Sequence, residues 1–182
     1  MGEVGDDDRL VARIAEGDRR AFAEIMERHV DRVLGLARRV LQSEADAEEV
    51  TQEVFLTVWQ KAETWRPGRA RFSTWLYRVT LNRCLNRKSR VQQRYLPLAE
   101  DFDPPDPGPA AEERLLAQER QSQVEAAVAE LPVKQRMAIS LTYVTGIGNA
   151  EAAEAMEISV KALEALLVRA RRSLRQRLQA ED

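Results

Sequence analysis

The sequence has little of what builds strands, disulfides, metal sites or membrane spans. Aromatic residues make up 5% of the chain, while Ala, Leu, Glu, Arg and Val dominate, a balance that favours helices over strands. There is a single cysteine, Cys84, which excludes an intramolecular disulfide framework and argues against a cysteine-based zinc site. There is also a single histidine, His29, far from Cys84 in sequence and on a helical pattern, and no phosphate-cradling glycine loop. A catalytic set is therefore absent: the expectation is no enzyme, no catalytic residue, no metal and no cofactor. His29 reads as a surface or interface histidine, and Cys84 as a small helical core residue rather than a redox sensor. No apolar run approaches the roughly 20 residues needed to cross a bilayer. Residues 1–9 are acidic and lack the hydrophobic core of a secretion signal. The expected setting is a reducing cytoplasm, with no membrane insertion.

What the sequence does have is charge, arranged in blocks. The formal net charge is −2, which looks wrong for a nucleic-acid binder. Yet Arg66, Arg69, Arg71, Arg78, Arg83, Arg87, Lys88, Arg90 and Arg94 follow one another with no Asp or Glu between them. Lys161, Arg169, Arg171, Arg172, Arg175 and Arg177 form a second block, opposed only by Glu164. Acids collect elsewhere, at residues 6–8, 44–53 and 100–106. Near-neutrality thus conceals two basic surfaces.

Five of the seven prolines, Pro97, Pro104, Pro105, Pro107 and Pro109, fall in one stretch with Gly108 and four acids. Such a composition neither packs nor stays helical, so residues 97–111 read as a linker between a domain at 1–96 and a smaller one at 112–182. Fully extended, the linker reaches about 50 Å. Helical periodicity fills both parts and no strand pattern or repeat appears, so the expected fold is all-α. Asp18 caps a long helix carrying Phe22, Ile25, Met26, Val30, Val33, Leu34, Ala37, Val40 and Leu41. Ser43 or Asp46 starts the next, and Pro67 with Gly68 marks a loop. Ser73 or Thr74 caps a third helix running from Trp75 to about Val91. After the linker, helices are expected at about 112–130, from Pro132 to near Gly146, at 149–156 and from Val160 to about Leu178.

The last two helices read as a helix-turn-helix, GNAEAAEAMEISVKALEALLVRARRSL, whose second helix enters the major groove. Ala152, Ala153 and Ala155 permit close approach, Ile158 fills the turn, and Ser159 caps the second helix. Ala162, Leu163, Leu166 and Leu167 form its buried stripe. Lys161, Glu164 and Ala165 face base edges, with Glu164 able to accept from a cytosine amino group, and Arg169, Arg171 and Arg172 sit where phosphate is met. The competing reading is an ordinary helical hairpin with a charged, solvated face.

In the first basic block, Trp75, Arg78, Asn82 and Asn86 share one helical face. An indole, a guanidinium and two amides suit stacking on and bonding to exposed bases. The alternative is that Trp75 packs inside and the amides are solvated. In the helix before it, DAEEVTQEVFLTVW, an acidic-polar stripe of Asp46, Glu49, Gln52 and Glu53 lies opposite Val50, Val54 and Val58. An acidic face repels DNA, so it is either solvated or meets a basic protein.

Taken in order, these segments resemble the extracytoplasmic-function sigma factors of bacteria, and the resemblance covers nearly the whole chain. DAEEVTQEVFLTVW resembles the region-two helix that docks on the clamp helices of the polymerase beta-prime subunit. FSTWLYRVTLNRCLNRKSR is similar to the segment that melts and reads the minus-ten element. LPVKQRMAISLTYVTGIGNAEAAEAMEISVKALEALLVRARRSLRQRL resembles region four, which reads the minus-thirty-five element. The resemblance implies that Asp46, Glu49, Gln52 and Glu53 contact polymerase. It implies that Arg71, Phe72, Trp75, Arg78, Asn82, Asn86 and Arg87 meet the minus-ten element, with a flipped base held by the loop at 66–72. It places Ser159, Lys161, Glu164, Ala165, Arg169, Arg171 and Arg172 at the minus-thirty-five element. The implied partners are core RNA polymerase, through the beta-prime clamp helices and the beta flap, promoter DNA, and an anti-sigma factor. Gly148 departs from the family's capping serine, though Glu151 is placed to reach back to the helix start. Glu157 stands at the turn position usually given to glycine, and Leu166 where relatives carry arginine. Two rival readings remain: a helix-turn-helix regulator that acts without being a polymerase subunit, and a helical adaptor with no nucleic-acid role.

Overall fold

The structure is a computed structural model that describes residues 4–68, 70–94 and 123–179, without the side chains of 4 and 91–94. The described residues are helical with no strand, as the composition requires. The linker at 97–111 and the expected helical residues 112–122 lie outside them.

Four helices build the first half: α1 (Val4–Ala15), α2 (Arg19–Leu41), α3 (Glu44–Lys61) and α4 (Phe72–Arg94), with a short 3-10 turn at Ala62–Thr64. Asp18 caps α2, its carboxylate accepting from the amides of Arg20 and Ala21, while Arg13 holds the same carboxylate below the usual range. Gln42, left-handed at φ 61°, ends α2, and Ser43 rather than Asp46 caps α3 through its hydroxyl. The α2 stripe of Ile25, Val33, Ala37 and Val40 is buried against Val50, Val54 and Val58 of α3 and Leu76, Tyr77 and Leu81 of α4. The third helix starts earlier than expected, at Phe72: neither Ser73 nor Thr74 caps it, because both already lie inside it. Thr74 is buried.

In α1 the sequence expectation missed a helix. Residues 1–9 read as an acidic lead, yet Leu10, Val11 and Ile14 are core residues of that helix. Its acids are occupied as well. Asp7 Oδ2 lies 2.8 Å from Nε2 of His29, Arg28 donates to Asp7, and the Trp65 indole donates to Asp8 at 2.8 Å. His29 is therefore buried, not a surface histidine, since a carboxylate from another helix answers its ring.

The second half holds α5 (123–129), α6 (Val133–Ile139), a π-helical turn at Ser140–Val144, α7 (Asn149–Ala155) and α8 (Val160–Leu178). Pro132 stands just before α6, and the π turn carries the chain toward Gly146, whose φ of +69° ends it. Leu163, Leu167 and Ala170 of α8 pack on Met137, Leu141, Ala152 and Ala153. Ala162, expected in that stripe, is exposed instead, because it lies on the solvent side of the first turn. The two halves are packed together: α7 lies on α4, and α6 and the π turn lie on α2. At Gly35 the missing side chain faces Val144 of the π turn, where a Cβ would stand 3.8 Å away.

Candidate nucleic-acid and polymerase interface

The acidic stripe of α3 is not a row of free carboxylates. Arg87 of α4 donates from Nε to Asp46 at 2.8 Å and also binds Glu49. Arg83 donates to Glu53 at 3.0 Å and to the Thr57 hydroxyl at 3.2 Å. The hydrogen bond from Arg87 holds Glu49 below the ordinary carboxylate range. The reason lies in packing: Val50, Val54 and Val58 seat α3 against α4, which brings the acidic edge of one beside the basic edge of the other. Arg87, expected at the minus-ten element, is thus engaged by the stripe expected at polymerase. Gln52 and Leu56 of α3 are exposed next to these pairs, Leu56 at 54%.

The aromatic cluster stands at the start of α4. Phe72 is 2% exposed, its ring 5.7 Å from those of Trp65 and Trp75 and 5.6 Å from His29. It is a core residue that supports the half-buried Trp75, whose ring is 5.5 Å from Trp65. Arg71, Asn82 and Asn86 are exposed, and Arg78 is partly so. A cavity of about 340 Å³ opens here, lined by Trp65, Arg66, Ala70, Trp75, Arg78 and Glu154. Within the loop at 66–72, Arg69 lies outside the described residues.

In the second half, Ser159 caps α8 by accepting from the Ala162 amide at 3.1 Å. Lys161, Glu164, Arg169, Arg171 and Arg172 are exposed, and Ala165 and Leu166 are half-buried. Glu157 occupies the turn at φ 55°, the left-handed region that usually takes glycine. Gly148 precedes α7 with no side-chain cap, and Glu151, expected to reach back to that helix start, binds Arg71 instead.

That contact bridges the two halves. Glu151 pairs with Arg71, Glu157 stands 3.8 Å from Arg78, and Glu154 lines the same cavity as Arg78. The structure therefore brings Arg71 and Arg78 together with α7 and leaves Asn82 and Asn86 open. A second interdomain cavity, of about 290 Å³, is lined by Asp7, His29, Arg32, Arg71, Tyr77 and Glu151 among others. The tie of Asp7 and His29, which fixes α1 beneath this edge, escaped the sequence reading, although Leu10, Val11 and Ile14 carried the 3–4 spacing that would have revealed the helix.

Comparison with known proteins matches this layout. A family model described as sigma-70 region 2 fits residues 25–95, and one described as sigma-70 region 4 fits residues 121–174. The chain is 34% identical to the RNA polymerase sigma factor CnrH of Cupriavidus metallidurans, covering 97% of each chain. It is 31% identical to the ECF RNA polymerase sigma-E factor of Haemophilus influenzae, covering 98% of each. A solved structure of CnrH in complex with the cytosolic domain of CnrY superposes with a TM-score of 0.74 at 27% identity, over 97% of this chain and 99% of that one. With both regions matched in order and such relatives along nearly its full length, the chain belongs to the extracytoplasmic-function sigma factors of the sigma-70 family, the subunits that direct core RNA polymerase to promoters.

Proposed function

We propose that this sigma factor divides its work among three helices. The α3 stripe of Asp46, Glu49, Gln52 and Glu53 docks on polymerase, Arg71 just ahead of α4 and the α4 face of Trp75, Arg78, Asn82 and Asn86 read the opened minus-ten element, and α8 reads the minus-thirty-five duplex. The observation that carries this reading is the two-sidedness of α8. Lys161, Glu164, Arg169, Arg171 and Arg172 face solvent while Leu163, Leu167 and Ala170 are buried on the other side. A capped helix with a basic outer face after a short helix and turn suits the major groove. Residues 1–96 and 112–182 act as separate modules on polymerase, joined by 97–111. The role needs no chemistry of its own, and the setting is the cytoplasm; no described helix is long and apolar enough to cross a membrane.

Free, each module gains only a few phosphate contacts, and the acidic segments oppose them, so DNA binding is weak until polymerase sets both in register. Reconstituted transcription with core polymerase and a promoter library tests this. Promoter-specific initiation is expected. Tight, specific duplex binding by the isolated chain, unchanged by core polymerase, would favour a regulator that is not a polymerase subunit.

Control falls to an anti-sigma factor. The support is the fold shared with CnrH, solved with the cytosolic domain of CnrY. Such a partner covers α3, the α6–α8 unit, or both, and competes with polymerase. Copurification from the host followed by competition with core polymerase checks this; a partner that binds alongside polymerase without displacing it rules out occlusion.

A further inference from the structure

The glutamates of α7 and its turn, Glu151, Glu154 and Glu157, recur every third residue and face α4 across the domain boundary. Glu151 is on Arg71, Glu157 is 3.8 Å from Arg78, and Glu154 borders the cavity that Trp65, Arg66, Trp75 and Arg78 line. A row of anionic oxygens spaced along a basic, aromatic edge offers the arginines what a nucleic-acid backbone would offer. Glu157 holds its place at φ 55°, where a side chain is disfavoured and glycine is the natural occupant. A carboxylate kept in a strained position, aimed at a cation of the other domain, points to a role in the contact rather than in the turn.

We propose that Glu151, Glu154 and Glu157 are an intramolecular surrogate for promoter phosphates, which occupy the arginine edge of α4 until the two domains separate. This rests on the reading of α4 as the minus-ten helix. The helix-turn-helix unit then inhibits the first domain in cis: its acidic side pairs with Arg71 and Arg78 and competes there with any other anion, while the basic face of α8 points away into solvent. The lock is shallow. Arg136 of α6 is 4% exposed with Nε and Nη1 lacking acceptors, and burial first, then the charge of Arg136, pushes the Lys88 ammonium of α4 down. A buried cation of α6 without acceptors for two of its nitrogens opposes the docking that the glutamates favour, so a competitor for either side opens the molecule.

The test uses the full chain with paired dyes on Ser89→Cys and Gln176→Cys, both exposed, Cys84 being buried and silent. Glu151→Gln, Glu154→Gln and Glu157→Gln together should lower energy transfer between the domains. Affinity for a mixed-sequence single-stranded oligonucleotide should rise about tenfold at about 50 mM salt. Its salt slope should steepen by about 1.4, two phosphate contacts at about 0.7 each. A control triple, Glu16→Gln, Glu27→Gln and Glu48→Gln, makes the same charge change at exposed sites away from the boundary and should stay within about twofold of the parent. Equal tightening in both triples would reduce the effect to net charge and overturn the lock, as would unchanged transfer in the first triple. Glu157→Gly separates the lock from the turn: it relieves the left-handed strain, so a better-folded variant that nonetheless opens supports the proposal. A better-folded variant that stays closed, with unchanged oligonucleotide affinity, removes Glu157 from it. Promoter-specific transcription by the parent chain with core polymerase is scored separately, so failure of the sigma reading and failure of the lock give different results.

Discussion

Arg87 of α4 lies across two carboxylates of α3, its Nε 2.8 Å from Asp46 and its terminal nitrogen on Glu49. One guanidinium on two acids orients the stripe before any partner arrives and answers part of its charge within the domain. Such pairs at an exposed edge contribute little to stability, typically under about 1 kcal/mol. Their consequence is geometric: the carboxylates stand in a fixed row with Gln52 and Leu56 exposed beside them.

Reversing Glu49 and Glu53 to Lys should abolish capture of core polymerase. A solvated face would leave stability within about 0.5 kcal/mol, but here each new lysine confronts Arg87 or Arg83, and a loss of about 1 kcal/mol is expected in thermal melts. Gln52→Lys avoids that confrontation and should lose polymerase with the melt unchanged. Full capture by both variants would make the stripe a solvated face.

The two promoter-reading surfaces should separate by mutation. Asn82→Ala should impair strand opening, reported by permanganate reactivity of thymines, with upstream duplex binding intact, since an exposed amide reads an unstacked base. Arg171→Ala should weaken duplex binding and lower its salt slope by about one, as loss of a phosphate contact does. Trp75→Ala is expected to impair opening too, but also to cost about 2 kcal/mol, because its ring packs on Trp65 and Phe72. Equal loss of both activities in Asn82→Ala and Arg171→Ala would contradict the division.

Burial alone pushes the Asp7 carboxyl up, but the hydrogen bonds and charges of His29 and Arg28 outweigh it and hold it below its ordinary value. A carboxylate so held adds stability above the unfolded value, near pH 4, and loses it as the pH falls through the lowered one. Asp7→Asn should therefore destabilise by about 1.5–3 kcal/mol at neutral pH. In urea unfolding, the gap from the parent should close below about pH 4. A gap independent of pH would mean that the carboxylate charge contributes nothing.

Cys84 is fully buried, and burial pushes its thiol up to about 12. A disulfide reagent at about pH 8 should find no reactive thiol in the native chain and one after denaturation. Rapid native reaction would restore the redox-sensor reading.

Much of this molecule was legible in local chemistry. Asp18 and Ser159 announce helix starts because an oxygen one residue ahead of a helix satisfies amides that have no other partner. The stripes of α2, α3 and α8 follow from 3.6-residue periodicity. The start of α4 was misplaced because two plausible caps, Ser73 and Thr74, stand within its first turn, and packing of Phe72 on Trp65 and His29 decides the matter. Helix α1 was missed because its acids dominate the composition there, while the partners that neutralise them, His29, Arg28 and Trp65, lie far along the chain.

The sequence by itself determined that the chain is all-helical, where its caps and apolar stripes lie, and that it carries the segments of a sigma factor in their order. Those properties depend on neighbours within a few residues and on residue type, which order along the chain already specifies. Only the tertiary structure decided which charges meet. Arg87 turns to Asp46 and Glu49, Phe72 sinks beneath Trp75, and Glu151 and Glu157 reach Arg71 and Arg78 across the boundary between the halves. Periodicity gives the face on which a side chain stands but not what that face will meet, because pairing across helices is fixed by how apolar stripes seat one helix on another.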